Sequence, residues 1–472
     1  MRTKKIMKII TVCYVFFLLS LMFTLESCGQ TKNRTHQLKQ NTQPNIVLFF
    51  VDDLGWSDLG LRNSIFESPN IDKLAKSGIS FEQAYIASPT CSPSRATLVT
   101  GQHPARLKLV RHIPGGKKHG FNRFGQTTEE FHTLKRDPAQ FPSRNWLPLE
   151  NTTYAEALSK LGYYNLFVGK WHLGHEKFHP NKQGFNQQIG TSNFGHPKSY
   201  YPPYFNQDTI FPDSKGRYLT DKLTDETVNF ISKYDKQQPF MVSFFYYSVH
   251  SPHQGRKDLV DHFESKGLKG KYAHYAAMVK ATDESVGRII KAIEQKGIEK
   301  ETILIFLSDQ GGYFENLPFR GGKMSEALFE GGSRVPFFLY WPGITSPNSI
   351  NNSLVQSTDL FPTLVEIAGG NTSNYKNIDG ISLLHTIKNN DYLKRDPIYA
   401  YRAYEDLYVS VREKDWKLLA YRSGKVKLFN ITKDIKEQND LSKEKPKVVE
   451  KLINKLIQWE SKMGVTSYSG VE

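Results

Sequence analysis

The stretch NIVLFFVDD, residues 45–53, runs from Ile46 to Val51 without a polar side chain and then straight into Asp52 and Asp53. A half-exposed strand alternates apolar and polar residues. An unbroken apolar run of this length suits a strand buried on both faces, as in a parallel sheet. Three further segments repeat the pattern. YNLFV (164–168) runs into Gly169-Lys170-Trp171-His172, FMVSFFYY (240–247) into Ser248-Val249-His250, and ILIFL (303–307) into Ser308-Asp309-Gln310-Gly311-Gly312.

Helical segments separate these runs. Ser68-Pro69 opens one that closes at Gly78, and TYAEALSKL (153–161) precedes Gly162. The spacing predicts a long helix over 272–296, where Tyr275, Val279, Thr282, Val286, Ile289 and Ile293 recur at four- and three-residue intervals before Gly297 stops it. Alternating strands and helices imply an α/β fold, a mostly parallel sheet with helices on both faces. In such sheets ligands bind beyond the carboxyl ends of the strands, which is where the four polar clusters fall. They are therefore expected to share one site.

The C-terminal part changes character. LYVSVR (407–412), WKLLAY (416–421) and VKLFNI (426–431) read as short strands joined by charged turns, and residues 446–463 as an amphipathic helix. This predicts a smaller antiparallel sheet plus helix packed on the main domain.

Length and composition set the frame. The 472 residues, 39% hydrophobic and 23% charged, leave room for a large core and two or three domains and exclude a disordered or collagen-like chain. Three cysteines exclude a disulfide-stapled scaffold. The N-terminus reads as an address. Residues 1–8 are basic, residues 9–25 apolar, and Ser27-Cys28 follows. That order describes an export signal, and the small residue before Cys28 resembles a bacterial lipoprotein lipobox, from which Glu26 departs. Cleavage before Cys28 is expected to leave lipid on Cys28. The chain would then be anchored to a bacterial membrane facing the periplasm or cell surface; the alternatives are an uncleaved anchor helix and a soluble periplasmic protein. Losing Arg2, Lys4, Lys5, Lys8 and Glu26 lowers the formal charge from +15 to +12. Residues 28–44 read as a polar tether.

Cys91-Ser92-Pro93-Ser94-Arg95, continuing to Thr100-Gly101, fits C-x-P-S-R-x-x-x-x-T-G. This resembles the signature of type I, formylglycine-dependent sulfatases, in the manner of bacterial carbohydrate sulfatases and arylsulfatases. VDDLGW, GKWHLG, VHSP, SDQGG, GGK and EGGSRVPFFLYWPG occur in that family's order between residues 45 and 343, and the W-K…LFN…D…E…ND run at 416–440 resembles its C-terminal subdomain. The resemblance implies an alkaline-phosphatase-like fold. The expected organisation is signal 1–27, tether 28–44, catalytic domain 45–390 and C-terminal subdomain 391–472.

The resemblance also implies roles. A formylglycine-generating enzyme or anaerobic maturase would oxidise Cys91 to formylglycine (3-oxoalanine), whose hydrate attacks sulfur through one hydroxyl and expels sulfate when the other loses its proton. A serine has no second hydroxyl with which to do this. Asp52, Asp53, Asp309 and Gln310, with residue 91 itself, would hold one Ca²⁺, a hard cation suited to an all-oxygen set; Gln310 replaces the commoner Asn. Arg95, Lys170 and Lys323 would offset those carboxylates and bind formylglycine and sulfate. His172 would take the proton from the sulfated diol, and His250 would bind sulfate or protonate the leaving oxygen, a task Lys323 could share. His112, His119, His175, His196 and His253 are further candidates for the pocket wall. The aromatic stretch 193–205 is either a sugar-stacking rim or a packed surface loop.

The basic charge favours a polyanion. Export and the lack of a nucleic-acid module speak against nucleic acid, leaving sulfated carbohydrate, attacked from the chain end, as the expected substrate. The competing readings are a phosphate mono- or diesterase on the same fold, and a non-catalytic sulfoglycan-binding lipoprotein should Cys91 stay a thiol.

Overall fold

A computed structural model describes residues 43–114, 129–205, 210–212 and 214–465. The export signal, Cys28, most of the tether, Lys117, Lys118 and His119 lie outside the described residues. No described helix is long and apolar enough to cross a membrane.

The apolar run at 45–51 forms β1 (Asn45–Val51), with every residue after Asn45 buried. It lies between β5 (Phe240–Phe245) and β6 (Thr302–Ser308), parallel to both, and β3 (Tyr164–Gly169) flanks β5 in the same sense. With β2 (Ile79–Tyr85), β4 (Gln187–Ile189), β7 (Phe337–Tyr340) and β8 (Ser349–Gln356) they make an eight-stranded sheet, ordered β8-β2-β7-β6-β1-β5-β3-β4. Only β7 runs antiparallel to its neighbours.

Alternation along β1 feeds two cores. Val47, Phe49 and Val51 pack with α1 (Pro69–Ser77), α4 (Leu219–Lys233) and the long α5 (Gly270–Lys296), through residues such as Ile71, Leu223 and Met278. Ile46, Leu48 and Phe50 face α2 (Cys91–Thr100), α3 (Tyr154–Lys160) and α6 (Leu360–Ile367), through Leu98, Leu158 and Leu364. Burial on both sides, at roughly 1.5–3 kcal/mol per large side chain, is why these strands carry no polar alternation.

The C-terminal strands β9 (Ile398–Tyr401), β10 (Leu407–Glu413), β11 (Trp416–Tyr421) and β12 (Val426–Asn430) form an antiparallel sheet. One face, with Leu418 and Leu428, packs on Leu452, Leu456 and Trp459 of α7 (Pro446–Met463). The other, with Leu419 and Phe429, meets Leu328 and Phe329 of the main domain. A buried charge cluster fastens this second contact. Lys417 Nζ lies 2.9 Å from Glu330 and 2.9 Å from Glu437, and the Glu330 N–H donates to Glu437 Oε2 at 2.6 Å.

Candidate active site

Register alone brings the polar clusters together. The N–H of Asp309 donates to the carbonyl of Val51, that of Asp52 to Ser248, and that of Lys170 to Phe245. The residues that leave β3, β5, β1 and β6 thus meet along one sheet edge. Gly311 is needed in this edge because a Cβ there would sit 1.8 Å from the Gly331 carbonyl oxygen. Cys91 arrives from elsewhere, as the first residue of α2, whose positive N-terminal end favours an anionic side chain at that position.

The buried thiol of Cys91 is ringed by carboxylates. Its Sγ and one donor atom each of Asp52 and Asp309 lie within 4.8 Å of one another, and the same holds for Cys91 with Asp53 and His250. Gln310 Nε2 donates to Asp53 Oδ1 at 2.7 Å and reaches Cys91 Sγ at 3.3 Å. Cations interleave with these acids. Lys170 binds Asp52 Oδ2, and Lys323 binds Asp53 Oδ2. Arg95, fully buried, donates to Asp309 Oδ2 at 3.2 Å and to the Lys170 carbonyl at 2.6 Å.

Asp52 Oδ1 is buried without a hydrogen-bond partner among the described residues. Burial would raise the Asp52 carboxyl, but Lys170 and then Arg95 hold it well below the usual carboxylate range. Asp309 goes the other way: burial, with Asp52 beside it, pushes its carboxyl well above that range. An orphaned carboxylate oxygen and a carboxyl raised by a like neighbour are what a hard divalent cation would satisfy, so the donor set fits Ca²⁺.

The backbone is held in uncommon conformations here. Asp53 (φ 60°) and His172 (φ 56°) both occupy the left-handed region. Asp53 is fixed by its N–H to Asp309 Oδ1 at 3.0 Å, and by Tyr275, whose hydroxyl lies 3.1 Å from the Asp53 carbonyl and 2.5 Å from Asp58. Asp58 is buried, which pushes its carboxyl up to about 6. His172 donates from Nε2 to the Ile113 carbonyl at 2.8 Å, which leaves Nδ1 as the unprotonated nitrogen. That Nδ1 is buried and has no hydrogen-bond partner among the described residues. Burial, aided by Lys170, holds the imidazole well below its ordinary pKa, so the ring is neutral. His250 is pushed down to about 4, by burial first, with Asp53 opposing. Its Nδ1 donates to the Ser251 carbonyl at 2.6 Å, so Nε2, 3.8 Å from Asp53, carries the open lone pair.

The structure therefore gathers Cys91, Arg95, Lys170, His172, His250, Lys323, Asp52, Asp53, Asp309 and Gln310 into one place. The other histidines divide. His196 stacks on His250 (5.4 Å, 7°), and His253 sits against Tyr275 and Tyr313. His112 hydrogen-bonds Tyr404, whereas His175 packs on Phe178. In the aromatic stretch 193–205, Tyr200, Tyr204 and Phe205 belong to the core, so most of it is a packed loop rather than a sugar-stacking rim. Two supporting residues carried no signal in the sequence. A Cβ on Gly195 would lie 2.3 Å from the His172 ring, and Ser92 Oγ accepts the Ile113 N–H at 3.0 Å. Both hold His172 in place, and neither belongs to a charged or periodic pattern.

A family model described as Sulfatase matches residues 44–370. The chain belongs to the sulfatase family. A second model, N-sulphoglucosamine sulphohydrolase, C-terminal, matches residues 325–462 of this sulfatase. The mouse (Mus musculus) N-acetylgalactosamine-6-sulfatase is 33% identical over 389 residues, 76% of this chain and 69% of that enzyme. A protein called Sulfatase from Formosa agariphila is 28% identical across 93% of this chain and 92% of its own. The crystal structure of Ps i-CgsB is 30% identical, with a TM-score of 0.75 over 88% of this chain and 92% of that one. This sulfatase is accordingly an enzyme of sulfate-ester hydrolysis.

Proposed function

We propose that this sulfatase removes O-sulfate groups from the chain ends of sulfated oligosaccharides, using Cys91 in its formylglycine form and one Ca²⁺. One observation carries the reading: a single buried cysteine at a helix N-terminus, with three carboxylates and three cations converging on it. The relatives support the substrate class. The mouse enzyme is named for N-acetylgalactosamine 6-sulfate, and Ps i-CgsB has been solved with k-i-k-neocarrahexaose bound.

Hydrated formylglycine would supply a nucleophilic hydroxyl and a second hydroxyl able to lose a proton, and Ca²⁺, which Asp52, Asp53, Asp309, Gln310 and residue 91 would hold, would supply charge stabilisation. The chain's own groups do the rest. Arg95, locked by Asp309 and the Lys170 carbonyl, fixes residue 91. Lys170 and Lys323 present fixed positive charge to the non-bridging sulfate oxygens in a dry pocket, where it stabilises developing negative charge without reorganisation. His172 Nδ1 receives the proton that releases sulfate. His250 Nε2 and Lys323 stand on the leaving-group side; Asp53 raises the Lys323 ammonium against the lowering effect of burial, keeping it charged.

The reading extends to the whole chain: export and lipidation at Cys28, a tether to residue 44, a catalytic domain to residue 390 and a C-terminal subdomain beyond it. A maturase acting on Cys91 is the implied partner. The test is sulfate release by purified, converted enzyme from defined sulfated mono- and oligosaccharides, run beside an aryl sulfate and an aryl phosphate. Release from sulfated sugars and the aryl sulfate is expected. Preferential release of phosphate would contradict the proposal.

A further inference from the structure

Tyr404 carries the C-terminal subdomain toward the site. The Tyr404 hydroxyl lies 2.6 Å from His112 Nδ1 and accepts the His112 N–H at 2.8 Å, and the two rings stack at 6.0 Å and 10°. The next residue, Ile113, binds Ser92 through its N–H and His172 through its carbonyl. Tyr404 is thus one residue removed from groups that touch the nucleophile's neighbour and the proton acceptor.

Two guanidiniums collect on this ring. Arg402 lies 4.5 Å and Arg136 5.4 Å from the Tyr404 centroid, and the two cations are close enough that Arg136 opposes protonation of Arg402. Like charges brought together cost free energy unless an anion lies between or beside them. One carboxylate, Glu405, lies beside Arg402, and none is paired with Arg136 among the described residues. The Glu405 pairing, at 3.2 Å, is half exposed, and Arg402 Nε is buried with no hydrogen-bond partner among the described residues. Arg136 is exposed and has no carboxylate partner among the described residues. Guanidinium groups are suited to planar or tetrahedral oxyanions, which they bind through paired N–H donors.

We propose that Arg136 and Arg402, mounted on Tyr404, form an anion subsite that grips a second negative group on the substrate, a sulfate or a carboxylate borne by the sugar next to the one desulfated. The inference rests on the sulfatase reading and narrows it: the preferred substrate is a polyanionic oligosaccharide, selected jointly by Arg136 of the catalytic domain and Arg402 of the C-terminal subdomain.

The test compares three disaccharides of one skeleton: monosulfated, carrying a second sulfate on the neighbouring ring, and carrying a carboxylate there. With Cys91 verified as formylglycine, the wild-type enzyme should favour at least one dianionic form by roughly tenfold or more in kcat/KM, the scale of one charge-assisted contact. The arm that shows the preference identifies the anion. Arg136→Ala and Arg402→Gln should each collapse that ratio through KM, with little change in kcat. Arg136→Ala removes an exposed side chain, so it decides the matter even if Arg402→Gln folds poorly. A wild-type enzyme that releases sulfate but shows no dianion preference, or a preference that survives Arg136→Ala, overturns the subsite. Converted enzyme that releases sulfate from none of the three, nor from an aryl sulfate, overturns the sulfatase reading itself.

Discussion

His172 shows how much of this site is positioning. The imidazole sits on a left-handed residue, its Nε2 is spent on a backbone carbonyl, and Gly195 presses on the ring so closely that no side chain fits between. Only Nδ1 is left for chemistry. Gly195→Ala should therefore displace the ring without touching substrate. Misplacement of a catalytic group by about an ångström costs on the order of a hundredfold in rate. The expected result is a fall in kcat of about tenfold to a hundredfold with KM and melting temperature little changed. Unchanged kcat in a folded variant would show that the ring tolerates displacement, and that Nδ1 is not the working atom. His172 itself was legible, from its place in GKWHLG. Gly195 was not, because what matters there is the absence of a side chain against a residue 23 positions away in the chain.

At the scale of elements, the strands that carry site residues were the ones the sequence revealed, since burial on both faces erases polar alternation and leaves a run that can be recognised. The other half of the sheet was silent. In β2, ISFEQAY, Glu82 and Gln83 are partly exposed, and in β8, SINNSLVQ, the pairing with β2 shifts register between Asn351 and Leu354. Both are edge-side strands whose mixed composition imitates a loop. The C-terminal W-K and E signals turn out to be structural. Lys417 is buried between Glu330 and Glu437, where three charges share one pocket. Burial pushes Glu437 up to about 7, while Lys417 and Arg334 hold Glu330 down to about 2 against the opposing effect of burial. A carboxyl raised in the folded state favours folding below its unfolded pKa, and that contribution is lost as pH rises through the folded value. Wild-type protein should thus lose stability from this group between pH 4.5 and 7. Glu437→Gln keeps the neutral form at all pH, so its melting temperature relative to wild type should climb across that window. A constant difference from pH 5 to 8 would contradict the assignment. Lys417→Met should cost about 3–5 kcal/mol by denaturant unfolding, because it strands two buried acids.

At the scale of the whole molecule, the net charge of +15 coexists with a knot of three carboxylates at the sheet edge. Composition indicated an anionic substrate, but only the register of β1 against β5 and β6 shows how acids and cations alternate around Cys91. If Ca²⁺ neutralises that knot, chelation should abolish sulfate release and lower the melting temperature by a few degrees, since a ligand at a hundredfold excess over Kd contributes about 2.7 kcal/mol. Added Ca²⁺ should restore both, and full activity in chelator with no bound metal would contradict the assignment. The account turns finally on what residue 91 is. Peptide mass spectrometry across Cys91, on the same preparation whose sulfate release is measured, tests it most directly. The predicted result is a formylglycine mass whose fractional occupancy scales with specific activity. Full activity from protein in which Cys91 is entirely an unmodified thiol would contradict it.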